Sequence, residues 1–307
     1  MKKILLNCLM LLPVFAFSQT DIDGIMMGKN TLCLGAVYES SSWNQYWEGT
    51  FKRENLNIGT VATKGASIMG NYGVSNKLNL IFNLPYLKTS ASAGTMQGQK
   101  GLQDFSLTLK YMPYEKQFKN AILSFYALGS FSVPTTDYVA DYLPLSIGLH
   151  SKNASFRLMT DYQYGSFFAT ASAAYTKRSN VTIDRNAYFT TEMHYTNEVK
   201  MPSVANCNFR IGYRSNRLIA EAIFDKMVTL KGGFDITKNN MPFLSNRMNA
   251  SKIGFNSKYT FKKIPELALV GGYNQVIDGR NVGQSQTFYG GVFYVITFNK
   301  KTKKDEK

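Results

Sequence analysis

The sequence predicts an all-β fold: a transmembrane antiparallel β-barrel of about 12 strands, with 14 as the alternative count. Three observations lead there. The chain opens with a secretory signal. No later stretch offers the roughly 18 apolar residues that a spanning helix needs. Segments of about ten residues with apolar side chains at every second position recur along nearly the whole chain, as in barrels with one lipid face and one inner face. Composition agrees: of 307 residues, 21 are Phe, 19 Tyr and 24 Gly, against 8 Pro, a balance that suits strands.

The first element is a signal peptide over 1–18. Lys2 and Lys3 form its positive end, Ile4 to Phe17 its apolar run (broken by Asn7 and Pro13), and Ala16 and Ser18 the small residues before a cut that leaves Gln19 first. Cys8 precedes most of the apolar run instead of following it, so a lipoprotein reading is set aside. Residues 19–30 then form a short periplasmic or plug segment.

The barrel is expected over 31–298. Its strands read 31–39, 62–74, 77–87, 104–113, 120–132, 154–163, 167–178, 204–214, 217–229, 251–261, 267–276 and 287–298. In the fourth, Phe105, Leu107, Leu109 and Tyr111 alternate with Asp104, Ser106, Thr108 and Lys110. In the third, Leu78, Leu80, Phe82, Leu84 and Tyr86 form the apolar row. In the eighth it is Ala205, Cys207, Phe209, Ile211 and Tyr213. Ser75-Asn76, Tyr164-Gly165 and Ser215-Asn216 serve as tight turns. Long polar stretches near 42–57, 88–103, 133–150, 179–203, 230–249 and 277–286 alternate with them, and 143–150 belongs to the third. An even strand number puts both termini on the periplasmic side. Residues 299–307 form a basic periplasmic tail with Lys300, Lys301, Lys303, Lys304 and Lys307. A soluble β-sandwich also alternates, but long strands, aromatic residues at both ends of the apolar rows and the leading signal favour the barrel.

Energetics fixes the inner face. Arg or Lys facing lipid at mid-bilayer costs on the order of 2–4 kcal/mol. Arg210, Glu221 and Asp225 must therefore point inward, and by the same parity so do Asp104, Lys110, Arg157, Asp161, Arg178 and Lys258. With Ser215-Asn216 as a two-residue turn, Arg214 should face Arg217, Gly212 Ile219, Arg210 Glu221 and Asn206 Asp225. These nine ionisable residues are the expected lumen lining and solute path. The bland alternative is that they satisfy one another and keep the barrel shut. Twelve strands fall between filled 8-stranded barrels and open 16-stranded pores.

Other functions are poorly supported. Two histidines, His150 and His194, fall in predicted outer loops, and no nucleophile motif surrounds either, so no catalytic residue is expected. Asp21, Asp23, Asp137 and Asp141 lack metal-site spacing, so neither metal nor cofactor is expected. Removing Lys2 and Lys3 leaves 33 basic against 20 acidic residues, about +13. Export and the scatter of these charges argue against nucleic acid and for anionic lipid head groups as neighbours. Cys33 and Cys207 point to opposite faces in this register and should remain free thiols.

Several stretches resemble the bacterial MetA-pathway of phenol degradation family, itself similar to FadL-type transporters of hydrophobic compounds. They are Gly101-Leu-Gln-Asp104-Phe-Ser-Leu-Thr-Leu-Lys110-Tyr111, Leu84-Pro85-Tyr86 and Val133-Pro134-Thr-Thr. Gln19 after the signal and Gly279-Arg280-Asn281-Val282-Gly283 also resemble outer-membrane proteins of the Bacteroidetes. The resemblance implies an outer-membrane barrel that passes small apolar or aromatic solutes. FadL-type proteins carry an N-terminal hatch, whereas here a plug would have to be 19–30 or the 133–150 loop. The expected partners are outer-membrane lipid and lipopolysaccharide and a small-molecule solute, with the protein a monomer. The competing reading is a structural barrel whose loops, with Trp43, Tyr46 and Trp47, bind a surface. A lipid-acting enzyme lacks the residues.

Overall fold

The computed structural model describes residues 20–238 and 240–298; the expected signal peptide and basic tail lie outside them. Twelve long antiparallel strands form one cylinder: β1 (Thr31–Trp43), β2 (Val61–Ser75), β3 (Leu78–Ala91), β4 (Asp104–Gln117), β5 (Ala121–Pro134), β6 (Asn153–Tyr164), β7 (Phe167–Arg178), β8 (Val204–Arg214), β9 (Leu218–Thr229), β10 (Asn249–Thr260), β11 (Leu267–Arg280) and β12 (Gln286–Thr297). Each pairs with its sequence neighbours, and β1 closes on β12 from Thr31↔Thr297 to Ser42↔Gln286. Closure leaves no open edge whose amides would be stranded in hydrocarbon.

Side-chain parity follows the sequence. Phe209, Ile211 and Tyr213 are exposed on the outside of β8, while Asn208, Arg210 and Arg214 are buried on its inside. Exposed Tyr38, Tyr86, Phe131, Phe156, Tyr175 and Phe288 ring the outer wall toward the long loops, and Tyr111, Tyr164, Phe167, Tyr213, Tyr259 and Tyr294 ring it toward the short turns. An apolar band between two aromatic girdles is the surface a bilayer requires. The chain is an outer-membrane-type barrel, with the start of β1 and the end of β12 on the same rim as the short turns. Cys33 is buried inside and Cys207 exposed outside, both free.

Three tight turns sit one residue later than the sequence suggested. Ser215, the residue after β8, donates its amide to Leu218 O at 2.8 Å, and the turn is Asn216-Arg217. Its hydroxyl accepts the amide of Leu218 at 3.1 Å, and Ser75 likewise accepts that of Lys77 at 3.2 Å. Serine thus occupies the first corner of the turn, where its oxygen meets the returning chain. The third turn is Gly165-Ser166, with Gly165 at φ +56°. The β8–β9 register therefore moves by two: Arg214 faces Ile219, Gly212 faces Glu221, Arg210 faces Ile223 and Asn208, not Asn206, faces Asp225. A shift of two preserves every face because the side-chain period is two.

Strands also run further toward the outside than expected, β1 to Trp43, β3 to Ala91 and β11 to Arg280. Above them the outer loops pack on one another. Ala140, Val181, Tyr188, Val199, Met201 and Leu244 make one buried cluster. The loop after β5 folds across the inner faces of β2–β4, with Leu145 against Ile58 and Val61, and Tyr138 and Ile147 against Leu87. Trp47 is buried on Ala250 and Val276, and Trp43 is half-buried beside Val61.

Candidate functional site

The lumen is occupied by the segment that precedes β1. Asp23 shapes it: its carboxylate accepts the amides of Thr20 (2.5 Å) and Ile25 (3.2 Å), which curls the chain and turns several carbonyls one way. Lys110, from the middle of β4 and 0% exposed, places Nζ in that curl. It donates to Asp23 O (2.6 Å), Ile25 O (2.8 Å), Thr20 O (3.1 Å) and Asp23 Oδ1 (3.1 Å). The Tyr126 hydroxyl donates to Gly24 O at 2.8 Å, and Arg157 lies 3.9 Å from Asp21. Further down, Met27 is buried with Cys33, Ala268, Phe293 and Val295. At Gly73 a Cβ would stand 2.0 Å from Gly28 O, so glycine is what lets the segment lie against β2.

Beyond the segment, the inward charges pair across the wall. Arg210 Nη1 meets Glu221 at 2.6 Å, diagonally instead of directly opposite, since both side chains span the offset that the register shift creates. Glu221 also accepts Asn256 Nδ2 at 2.9 Å, and Tyr289 donates to the Asn256 oxygen at 3.0 Å. Asn208 links Arg210 (3.1 Å) to Asp225 (3.3 Å). Asp161 holds Arg214 at 3.0 Å and the Thr170 hydroxyl, while the Arg214 guanidinium lies 4.0 Å over the Phe168 ring. Arg157 donates to Ser172 at 2.9 Å. Lys258 is buried on the inside of β10, and Arg178 points inward near the outer end of β7.

Asp104 stands apart from this group. It accepts the Tyr138 hydroxyl at 2.7 Å, pinning the loop after β5 over the lumen; burial, then the Asp104 carboxylate, push the Tyr138 phenol well above its usual range. Seven of the nine expected residues thus divide among segment latch, wall network and loop pin, while Lys258 and Arg178 lie on the inner faces of β10 and β7. Arg214, Tyr126 and Tyr289 were not among them. Arg214 shares the parity of Arg210, and that parity was the available signal. The two tyrosines carry no charge to betray their face.

Two cavities lie inside the barrel beside the segment. One of about 490 Å³ lies between the segment and the inner faces of β8–β12 and β1, with apolar Val37, Ile223 and Phe293 beside polar Glu39, Glu221 and Tyr289. The other, about 450 Å³, opens toward the turns, and Arg214 borders both. A third of about 520 Å³ sits among the outer loops and is lined by Tyr142, Tyr188, Phe189, Phe234, Phe243 and Arg185.

Neither histidine heads a catalytic constellation. His194 stacks on Tyr188 with centroids 4.8 Å apart, and His150 lies 3.6 Å from Asp137. The Ser151 hydroxyl donates to Ser179 O at 2.9 Å. Among the described residues no cluster of three or more His, Cys, Asp or Glu is placed to hold a metal.

No known protein family and no curated protein matches the sequence. Solved structures do resemble it. The COG4313 outer membrane channel from Pseudomonas putida F1 superimposes with a TM-score of 0.71 at 13% identity, covering 91% of this chain and all (100%) of that one. The NanC porin gives 0.46 at 8% identity over 84% of this chain and 98% of its own, a far looser likeness. A mutant of the TodX monoaromatic hydrocarbon channel gives 0.42 at 10% over 88% and 91%. The first shows that the chain, over the 91% it covers, adopts a known outer-membrane barrel fold.

Proposed function

We propose that this barrel is an outer-membrane channel for small apolar or aromatic solutes, closed in the state described by its own N-terminal segment. The observation that carries the reading is the way the lumen is filled. Strand side chains satisfy one another along the wall and leave a cavity of about 490 Å³, and a short separate segment stops it. A barrel built only for rigidity would fill its interior from the strands, as 8-stranded barrels do. The cavity mixes apolar and hydrogen-bonding side chains, which suits solutes with little charge. The aromatic chamber among the outer loops supports an aromatic solute at the entrance. The COG4313 protein, whose fold this chain shares, is by name an outer membrane channel, and the sequence resemblance to the phenol-degradation family points the same way.

The test is permeability in two forms of the protein, native and lacking residues 20–27, reconstituted in liposomes and planar bilayers. The native form should show low ionic conductance with measurable uptake of a small aromatic such as toluene; the deletion should conduct ions freely. If both forms exclude every solute tried, the channel reading fails. The outer loops packed over one rim and the segment inside the lumen favour a second reading, a structural barrel without transport, and that result would support it.

A further inference from the structure

We infer that the outer wall of β2 and β3, together with the short strand Lys100–Leu102, carries a binding site for a phosphorylated lipid head group of the surrounding leaflet. The inference is independent of what passes through the lumen. Register brings three lysines into one row: Lys64 pairs with Lys88, and Lys88 pairs with Lys100. All three are exposed and share the outward parity of Ile68 and Tyr86. Among the described residues none of the three takes part in an ion pair.

Like charges directly opposite one another on neighbouring strands repel, and a sheet does not gain from such a row unless something anionic lies across it. With strands about 4.8 Å apart, the outer lysines are about 10 Å from each other at the backbone. That span suits two phosphates on one head group better than a single small anion.

Height on the wall identifies the source. The outward row two residues nearer the membrane is Tyr38, Ala66, Tyr86 and Leu102, again in one register. Tyr38 and Tyr86 belong to the outer aromatic girdle, which marks the head-group boundary. The lysine row therefore stands one step above the hydrocarbon, on the long-loop side. Ser40, which pairs with Lys64, and Ser90, one step above Lys88, supply hydroxyls at the edge of the row. The chemistry is that of a diphosphorylated glycolipid: two phosphates on the ammonium groups, sugar hydroxyls against serine, acyl chains down over Tyr38 and Tyr86.

The test compares wild type with K64Q/K88Q/K100Q and with the charge-keeping K64R/K88R/K100R, each checked for a folded barrel by heat-modifiable gel mobility. Binding of diphosphorylated lipid A, monophosphorylated lipid A and phosphatidylglycerol is read by native mass spectrometry from mixed micelles, with inorganic pyrophosphate as competitor. A surface cation is worth roughly fivefold in affinity for an anionic lipid, so the Gln triple should bind diphosphorylated lipid A about 100-fold more weakly. The Arg triple should keep the affinity, and pyrophosphate at equal concentration should not displace the lipid. Equal retention by wild type and the Gln triple overturns the site. Equal affinity for phosphatidylglycerol overturns the diphosphate assignment, and displacement by pyrophosphate overturns the lipid. If the Gln triple does not fold, K88Q alone decides, because removing the central lysine should still cost about fivefold.

Discussion

Replacing Lys110 by methionine should release the N-terminal segment from the lumen without unfolding the barrel. The ammonium donates to four oxygens of the segment between 2.6 and 3.1 Å, and the side chain is 0% exposed. Deleting one partner of a buried ion pair costs about 3–5 kcal/mol. Asp23 keeps the amides of Thr20 and Ile25 as partners, so its carboxylate is not wholly abandoned and the lower end applies. About 3 kcal/mol shifts the ratio of docked to released segment by roughly 100-fold. Methionine retains most of the stem's volume, so the wall of β4 should not collapse.

Cys33 reports the release. It is buried beneath Met27 on the lumen side of β1. In a Cys207→Ser background a water-soluble maleimide should label Cys33 slowly in the parent and about 100-fold faster after Lys110→Met, provided docking is faster than labelling. Tyr126→Phe removes just the hydroxyl bond to Gly24 O. At about 1 kcal/mol it should speed labelling about fivefold. Heat-modifiable mobility, unchanged in all three, establishes that the barrel is intact. A change below threefold for Lys110→Met in a folded barrel would refute the latch.

Three further outcomes are expected. Arg210→Met or Glu221→Leu alone should lower urea stability in lipid vesicles by about 3–5 kcal/mol, and the double variant should recover most of it, because the loss comes from stranding a buried charge. Gly73→Ala puts a carbon 2.0 Å from Gly28 O by construction, so it should raise Cys33 labelling as Lys110→Met does while leaving the β2 pairing in place. Hydrogen bonds from Arg280, ahead of that from Asn281, hold the Asp235 carboxyl at about 2, below its usual 3.8. A lowered pKa stabilises above the ordinary value and is lost as pH falls through the lowered one. Pepsin nicking of loop 230–248 should therefore be faster in Asp235→Asn than in wild type at pH 4, with the two converging toward pH 2. Because the Asp235 side chain is 40% exposed, the difference should stay below about 1 kcal/mol, or fivefold. A constant ratio across that range would exclude the pair.

The sequence revealed the strands because lipid enforces a strict rule: Phe209, Ile211 and Tyr213 have no alternative face once Arg210 must be wet. The rule lapses where lipid ends. Ser40, Ser41 and Ser42 extend β1, yet nothing in their side chains distinguishes strand from loop, so the outer ends were read short. Two of the three turns are hard to place to the residue because serine fits either of two corners, and only the hydroxyl bonds of Ser75 and Ser215 decide between them. Long-range contacts left no trace either. Lys110 and Asp23 are separated by 87 positions, and parity says that Lys110 points inward but not what it meets. Asp23 sits in the short segment before the first strand, and nothing in the sequence there names Lys110 as its partner.

That division bears on how the barrel can open. Among the described residues the ion pairs of the barrel interior fall into two sets. Arg210–Glu221 and Arg214–Asp161 join strand to strand, whereas Lys110–Asp23 and Arg157–Asp21 join wall to segment. Losing the second set leaves the first satisfied, so the wall pays nothing in stranded charge when the segment leaves. The segment itself exchanges buried contacts for water, and its carbonyls and Asp21 and Asp23 are readily hydrated. The Lys110 ammonium, fully buried when docked, would face a water-filled lumen once the segment has gone. Opening by withdrawal of the segment therefore strands no charge in a dry interior at either end of the step, whereas opening by distortion of the wall would break pairs that nothing else can satisfy.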